Sequence, residues 1–194
     1  MLKIGITGGI GSGKSVVTRI FKTLGIPTLD ADSFAKDLMA NNAEVREQLT
    51  AAFGISIFKA GQLDRQALSK MVFNDKAMLA RLNGIVHPAV KKHGNQWMEI
   101  QNAPYVVKEA ALFFESGSDQ DMDIMIGVSA PENLRLARAM QRDNVQEADI
   151  KKRMNSQMDE AEKMHRCDYI IFNDEQHSLI QQVVHLHHLF LNQS

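Results

Sequence analysis

Residues 8–15 read Gly8-Gly9-Ile10-Gly11-Ser12-Gly13-Lys14-Ser15, a full G-x-x-x-x-G-K-[ST] phosphate loop whose residue types divide the work of holding a nucleoside triphosphate. Gly11 and Gly13 admit backbone conformations closed to residues with a Cβ, so successive N–H groups around Ser12 can turn inward onto an anion. Lys14 brings a positive charge to the terminal phosphates, and the Ser15 hydroxyl is a ligand for Mg2+. A second set of residues has the chemistry of phosphoryl transfer. Such transfer to a hydroxyl needs a group that aligns the acceptor with the γ-phosphate and takes its proton. Asp32, in Asp30-Ala31-Asp32, can do both, or the two acids can simply cap the helix expected from Ser33. Arg135, Arg138 and Arg142 stand at i, i+3 and i+7, one stripe of a helix, with Arg153 and Gln157 following. The stripe is either a phosphoryl clamp of planar bidentate donors or a solvated basic face. Glu109 is placed to hold Mg2+ through water or to end a strand as a structural carboxylate. His87, before Pro88, is a substrate contact or a half-buried histidine, and Lys91 with Lys92 makes a basic face for phosphate or for solvent.

These residues need a scaffold, and the hydropathy pattern supplies one. Leu2 to Thr7 is a short apolar strand, and residues 15–24 carry apolar side chains at Val16, Val17, Ile20, Phe21 and Leu24, a helical spacing. The phosphate loop thus lies between a strand and a helix N-terminus, where free N–H groups and the helix dipole favour phosphate. Gly25 follows as a helix stop. A second strand over 26–30 puts Asp30 and Asp32 at its carboxyl end, the edge where open parallel sheets bind ligands. Residues 33–101 read as mainly helical, through Phe34, Leu38, Met39, Val45, Leu49, Phe53, Leu68, Met71, Val72 and Leu79, with a short break between Gly54 and Gly61. Strands are expected at 105–107, 123–129 and 169–172. Ser129 and Glu132 form an expected capping box with Pro131 just inside the helix; a second helix runs from 144–147 to about 164, and an amphipathic helix spans 179–191. His185, His187 and His188 lack an i, i+4 pair and read as a solvated helix face. Cys167 reads as a buried thiol.

Strand–helix alternation behind a phosphate loop predicts an α/β fold of the P-loop NTPase type, a parallel sheet flanked by helices. Its expected organisation is one kinase domain, 1–194: a core of 1–32, 104–129 and 166–194, a helical substrate-binding insertion at 33–103 and a helical lid at 130–165. The 194 residues are 44% hydrophobic and 23% charged, the composition of a globular enzyme. A net charge of −1 argues against nucleic acid as partner, which usually demands a marked basic excess. No apolar run is long enough for a membrane helix, and the single cysteine excludes an intrachain disulfide. A cytoplasmic enzyme acting on a small anionic substrate, with no membrane or nucleic-acid partner, is expected.

Read in order, the motifs resemble those of the dephospho-coenzyme A kinase family. The resemblance is carried by ITGGIGSGKS at 6–15, LGIPTLDAD at 24–32, Phe53-Gly54, Gly61-Gln62-Leu63-Asp64-Arg65, Val72-Phe73 and Val86-His87-Pro88-Ala89-Val90. It continues through EAALFFE at 109–115, the Arg138/Arg142 spacing, Arg153 to Gln157, and 168–173. It implies ATP-dependent phosphorylation of the ribose 3′-hydroxyl of dephospho-CoA, the last step of coenzyme A synthesis, with ATP and Mg2+. It assigns Asp32 as base, Gly11, Ser12, Gly13, Lys14, Ser15 and Val16 as the ATP phosphate cradle, Arg138 and Arg142 to the lid and Asn173 to the neighbourhood of the adenine. Asp64, Arg65, His87 and Lys91 fall in its substrate lobe. Glu109 stands where the family usually has Asp, Ala111 where it has Pro, Val16 where Thr is common and Glu175 where Gly is common. Other small-molecule P-loop kinases share the loop and an arginine lid but differ in the substrate lobe. A GTPase would carry N-K-x-D, and this sequence lacks it.

Overall fold

The computed structural model describes residues 1–72 and 75–193; Phe73 of the Val72-Phe73 motif lies outside them. The chain divides into two compact units, Met1–Asp30 with Ile100–Ser194, and Ala31–Glu99.

The first unit is built on a parallel sheet. β1 (Leu2–Thr7) leads through the phosphate loop into α1 (Lys14–Thr23), and β2 (Thr28–Asp30) follows. α1 ends as its sequence predicts: Gly25, at φ 84°, lets the Gly25 and Ile26 N–H groups return to the Lys22 and Phe21 carbonyls at 3.1 and 3.2 Å, a Schellman stop.

The second unit interrupts the sheet in sequence. α2 (Ala31–Asn41) and α3 (Ala43–Phe53) are followed by a 3-10 turn at Ile55–Ile57, the strands β3 (Phe58–Lys59) and β4 (Gln62–Leu63), then α4 (Arg65–Val72) and α5 (Lys76–Glu99). The expected break between Gly54 and Gly61 is therefore not a bare loop. It holds an antiparallel hairpin turned by Ala60 and Gly61, both at positive φ, the backbone that a tight two-residue turn requires. Leu38, Val45, Leu49, Phe53, Leu68 and Val72 form the buried core of this unit with Ile57, while Phe34 and Met39 pack at its edge. Met71 and Leu79, which share the helical pattern, instead lie on the exposed side.

Back in the first unit come β5 (Tyr105–Glu109), α6 (Phe113–Ser116), β6 (Ile124–Ser129), α7 (Glu132–Asp143), α8 (Glu147–Met154), α9 (Glu160–His165), β7 (Tyr169–Phe172) and α10 (Leu179–Leu191). The sheet order is β2-β5-β1-β6-β7, and every pairing is parallel. This is the α/β architecture expected. One side chain in two along each strand faces α1 and α10: Ile4 and Ile6, Tyr105 and Val107, Ile126 and Val128, and Ile171 meet Val17, Phe21, Val183, Leu186 and Phe190. Burying each large apolar side chain fully stabilises the fold by about 1.5–3 kcal/mol. No helix among the described residues is long and apolar enough to cross a membrane.

Two local expectations fail for identifiable reasons. The Ser129–Glu132 capping box does not form. Ser129 stays in the sheet opposite Phe172, where its carbonyl accepts from Asn173 N–H at 2.8 Å, and α7 starts after Pro131 with no side-chain cap. The single helix expected up to about 164 is split. After α8 the chain turns, Met158 N–H is taken by Glu115 Oε1 at 2.8 Å, and Asp159 caps a new helix by accepting from Glu162 N–H at 3.1 Å. A competing cap and a tertiary acceptor outweigh helical continuity here.

Candidate active site

The carboxyl ends of the strands set the site. In register, Ile6 lies opposite Glu109, and Glu109 opposite Asp30, so β1, β5 and β2 end on one edge. Glu109 is the last residue of β5 rather than a residue beyond it.

The loop that leaves β1 is fitted to its neighbours. Gly11 and Gly13 have φ of 78° and 95°, and a Cβ would lie 2.0 Å from the Arg135 carbonyl oxygen at the first and 2.1 Å from Asn173 Nδ2 at the second. Any side chain would therefore meet both backbone strain and a steric wall. Asn173 Nδ2 donates to the Ser12 carbonyl at 2.7 Å, and Ser12 is fully buried. Lys14 Nζ donates to the Gly8 and Gly9 carbonyls at 2.9 and 3.3 Å, which lays its ammonium across the mouth of the loop. At the start of α1, the Val16 and Val17 N–H groups turn to the Gly13 carbonyl.

Next to the loop is a cavity of about 390 Å3. Gly11, Gly13, Lys14, Ser15 and Val16 form one wall; Glu109, Arg138, Arg142, Asn173 and Leu179 form the rest. Residues spread over most of the sequence thus share one space with the chemistry of a nucleotide site: hydroxyl and carboxylate oxygens, an ammonium, two guanidiniums and an apolar side chain.

The arginine stripe divides by depth. Arg135 is buried, with Nη1 3.3 Å from Glu160 Oε2. Arg138 donates to the Asn173 carbonyl and to Glu175 Oε1, each at 3.1 Å. Arg142 forks onto Asp143 at 2.7 and 3.1 Å, and Arg153 donates to the same carboxylate at 2.9 Å. The Arg142 hydrogen bond holds the Asp143 carboxyl below its ordinary range and pushes the guanidinium higher. Gln157 accepts from Ile10 N–H through Oε1 at 3.3 Å.

The remaining sequence-predicted residues belong to the helical unit. Asp32 lies in the first turn of α2, so the helix starts at Ala31, two residues before Ser33. Asp64 caps α4, accepting from Ala67 N–H at 2.9 Å, and pairs with Lys59 at 2.5 Å; the Lys59 bond holds its carboxyl low. Arg65 shares with Asp64 and Arg46 a separate cavity of about 560 Å3. His87 and Lys91 stand one turn apart on α5.

Sequence reasoning passed over several residues. Glu160, Glu115, Lys108 and Lys163 gave no periodic signal, since charged side chains at core positions break the pattern. Lys108 is buried beneath Phe113, 5.5 Å from its ring. His187 is no solvated face residue: its Nδ1 lies 2.6 Å from the Tyr105 hydroxyl, and burial lowers its pKa. Cys167 is half-buried rather than buried as expected, and desolvation still pushes its thiol pKa up to about 12. Among the described residues no cluster of three His, Cys, Asp or Glu side chains gathers as a metal cage.

Comparison with known proteins identifies the family. The family model for dephospho-CoA kinase matches residues 2–178. The dephospho-CoA kinase of Porphyromonas gingivalis (strain ATCC BAA-308 / W83) is 42% identical over 187 residues, which cover 96% of this chain and 93% of that protein. The crystal structure of TT1252 from Thermus thermophilus matches with a TM-score of 0.86 and 31% identity, over 97% of this chain and 96% of that one. The dephospho-CoA kinase from Campylobacter jejuni matches with a TM-score of 0.72 and 30% identity, over 98% and 97% of the two chains. Motifs, fold and relatives agree along nearly the whole length, and the chain belongs to the dephospho-CoA kinase family.

Proposed function

We propose that the cavity beside the phosphate loop seats ATP, and that Asp32, Lys14, Arg138 and Arg142 carry the family's reaction, phosphorylation of the ribose 3′-hydroxyl of dephospho-CoA. The observation behind this reading is the convergence of Lys14, Ser15, Glu109, Arg138, Arg142 and Asn173 on one 390 Å3 cavity at the carboxyl edge of the sheet. The loop from Gly11 to Val16 cradles the phosphates, and Lys14 leaves its loop carbonyls to meet the terminal ones. Leu179 and the Asn173 side offer an apolar and a polar wall for the adenine.

Asp32 orients the 3′-hydroxyl and accepts its proton as the bond to phosphorus forms. Chain connectivity supports this role, since Asp32 stands two residues past Asp30, the β2 residue in register with Glu109. Arg138 and Arg142 offset the charge that develops on the transferring group. The Ser15 hydroxyl and Glu109 carboxylate are hard oxygen donors on one cavity, a set that fits Mg2+, which keeps several waters and takes few protein ligands. When bound there, Mg2+ would neutralise β- and γ-phosphate charge. Residues 33–103 are the acceptor lobe in this reading, with Asp64, Arg65, His87 and Lys91 as its contacts, and 130–165 the lid that excludes water. The cytoplasm completes the proposal, on the strength of the single cysteine in the sequence.

Steady-state transfer with dephospho-CoA, adenosine, AMP and shikimate as rival acceptors tests the assignment, with dephospho-CoA expected to be preferred. Asp32→Asn should lower kcat by about a hundredfold or more with little change in the KM for ATP. Turnover within a few-fold of the parent would remove Asp32 as the base. Lys14→Ala should lose most activity.

A further inference from the structure

Two N–H groups on the outer side of the phosphate loop are taken up by side chains from the segment after α8. Gly9 N–H donates to Glu160 Oε2 at 3.1 Å and Ile10 N–H to Gln157 Oε1 at 3.3 Å. The same Glu160 oxygen receives Arg135 Nη1 at 3.3 Å, and Arg135 is only 8% exposed. The fit is close, because a Cβ on Gly9 would stand 2.5 Å from Glu160 Oε2 and 2.2 Å from Arg135 Nη1. The helix that carries Glu160 is anchored in turn. Lys163, one turn along α9 and fully buried, donates to the Ala111 carbonyl at 2.9 Å and to Glu115 Oε1 at 3.0 Å. That Glu115 oxygen also accepts from Met158 N–H at 2.8 Å.

We infer that Gln157 and Glu160 are positioning residues for ATP: they hold the first turn of the phosphate loop in the shape that presents the next N–H groups to the phosphates. A loop that orders only on binding spends part of its binding energy on ordering, whereas donors already in place do not. A carboxylate so near an anion site would by itself repel a triphosphate. The buried Arg135 offsets that repulsion with its own charge, and the Gly9 N–H gives Oε2 a second donor. Gln157, uncharged, does the same work for Ile10 without needing a counter-ion. The segment 157–163 is thereby bound at once to the loop and to residues 111 and 115 after β5.

This inference rests on the reading of residues 8–15 as the seat of the ATP phosphates, so Lys14→Ala is measured beside it. In the full-length enzyme, Glu160→Ala should raise the KM for ATP about tenfold and leave the KM for dephospho-CoA within about twofold. Glu160→Gln keeps an acceptor for Gly9 but gives up the charge on Arg135, and should fall between parent and Ala. Gln157→Ala should raise the KM for ATP about threefold. In the nucleotide-free state, amide hydrogen exchange should speed up about tenfold at Gly9 in the first variant and at Ile10 in the last. An unchanged KM for ATP, or equal rises in both KM values, overturns the inference. Should Glu160→Ala fail to fold, Gln157→Ala decides by the same readings, since its half-buried side chain carries no core packing. If Lys14→Ala keeps its activity, the assignment of the phosphate loop falls first and the inference with it. If Lys14→Ala is impaired while Gln157→Ala and Glu160→Gln bind ATP like the parent, the inference alone is wrong.

Discussion

At Glu175 a single residue carries two opposed effects. Its φ of 68° is in the left-handed region that glycine occupies without penalty, which accounts for glycine being common there in the resemblance. This chain keeps the same backbone with a Cβ attached, at a cost of roughly 1–2 kcal/mol. In exchange the carboxylate reaches Arg138 Nη2, an exposed pair of small energetic value but one that holds a guanidinium facing the nucleotide cavity. Glu175→Gly should therefore be more stable than Glu175→Ala by about 1 kcal/mol in urea unfolding. If the alanine variant is the more stable, the strain assigned to this position is not there. The sequence flagged Glu175 as a departure, but only the dihedral shows why glycine suits the site. Arg135 makes the complementary case. By spacing it was one of three equal arginines, yet its neighbours across the fold bury it under the loop while Arg138 and Arg142 stay at the cavity.

Strands and the outer helices are legible from local pattern. β1, β7 and α10 match the hydropathy reading: short apolar runs for the strands, β1 being buried on both faces from Ile4 to Thr7, and helical spacing for α10. The break at 155–159 and the missing cap of α7 are not, since each depends on a partner distant in sequence: Glu115 for Met158, and Asn173 for Ser129. α10 shows the same limit. Its apolar stripe is readable, but the spacing that marks His187 as a surface residue does not show that it meets Tyr105 of β5. The groups facing its ring are the Tyr105 hydroxyl, whose own pKa burial raises, and His188, 5.7 Å away between ring centres. Burial, with a smaller contribution from His188, depresses the His187 pKa in the folded chain. The unfolded chain therefore binds its proton first as pH falls. Its contribution to stability is intact above about pH 6.5, the unfolded value, and is lost as pH drops from there through the folded pKa. Urea midpoints measured from pH 8 to 5 should fall across that window, and His187→Asn should flatten the slope. An equal slope in the variant would place the titration elsewhere.

For the molecule as a whole, the proposed nucleotide cavity joins residues 11, 13–16, 109, 138, 142, 173 and 179, so ATP binding should stabilise the native state of the whole chain. At about a hundred times its Kd a ligand adds roughly 2.7 kcal/mol, read as a rise in Tm. Lys14→Ala should abolish most of that rise, and an undiminished rise would put ATP at another site. Sequence alone determined the class of chemistry and the sheet that supports it. A phosphate loop is local: its glycines, lysine and serine act through contiguous backbone, and the flanking strand and helix announce themselves by periodicity. What the tertiary structure decided is which charges face the cavity and which are consumed in holding it. Glu160 and Lys163 look like any surface polar residues in a linear reading, and Gln157 and Glu115 stand out there only as members of motifs. Only the packing of α7 and α9 against the loop and the end of β5 separates them, because a charge is buried only when a partner from elsewhere in the chain arrives to meet it.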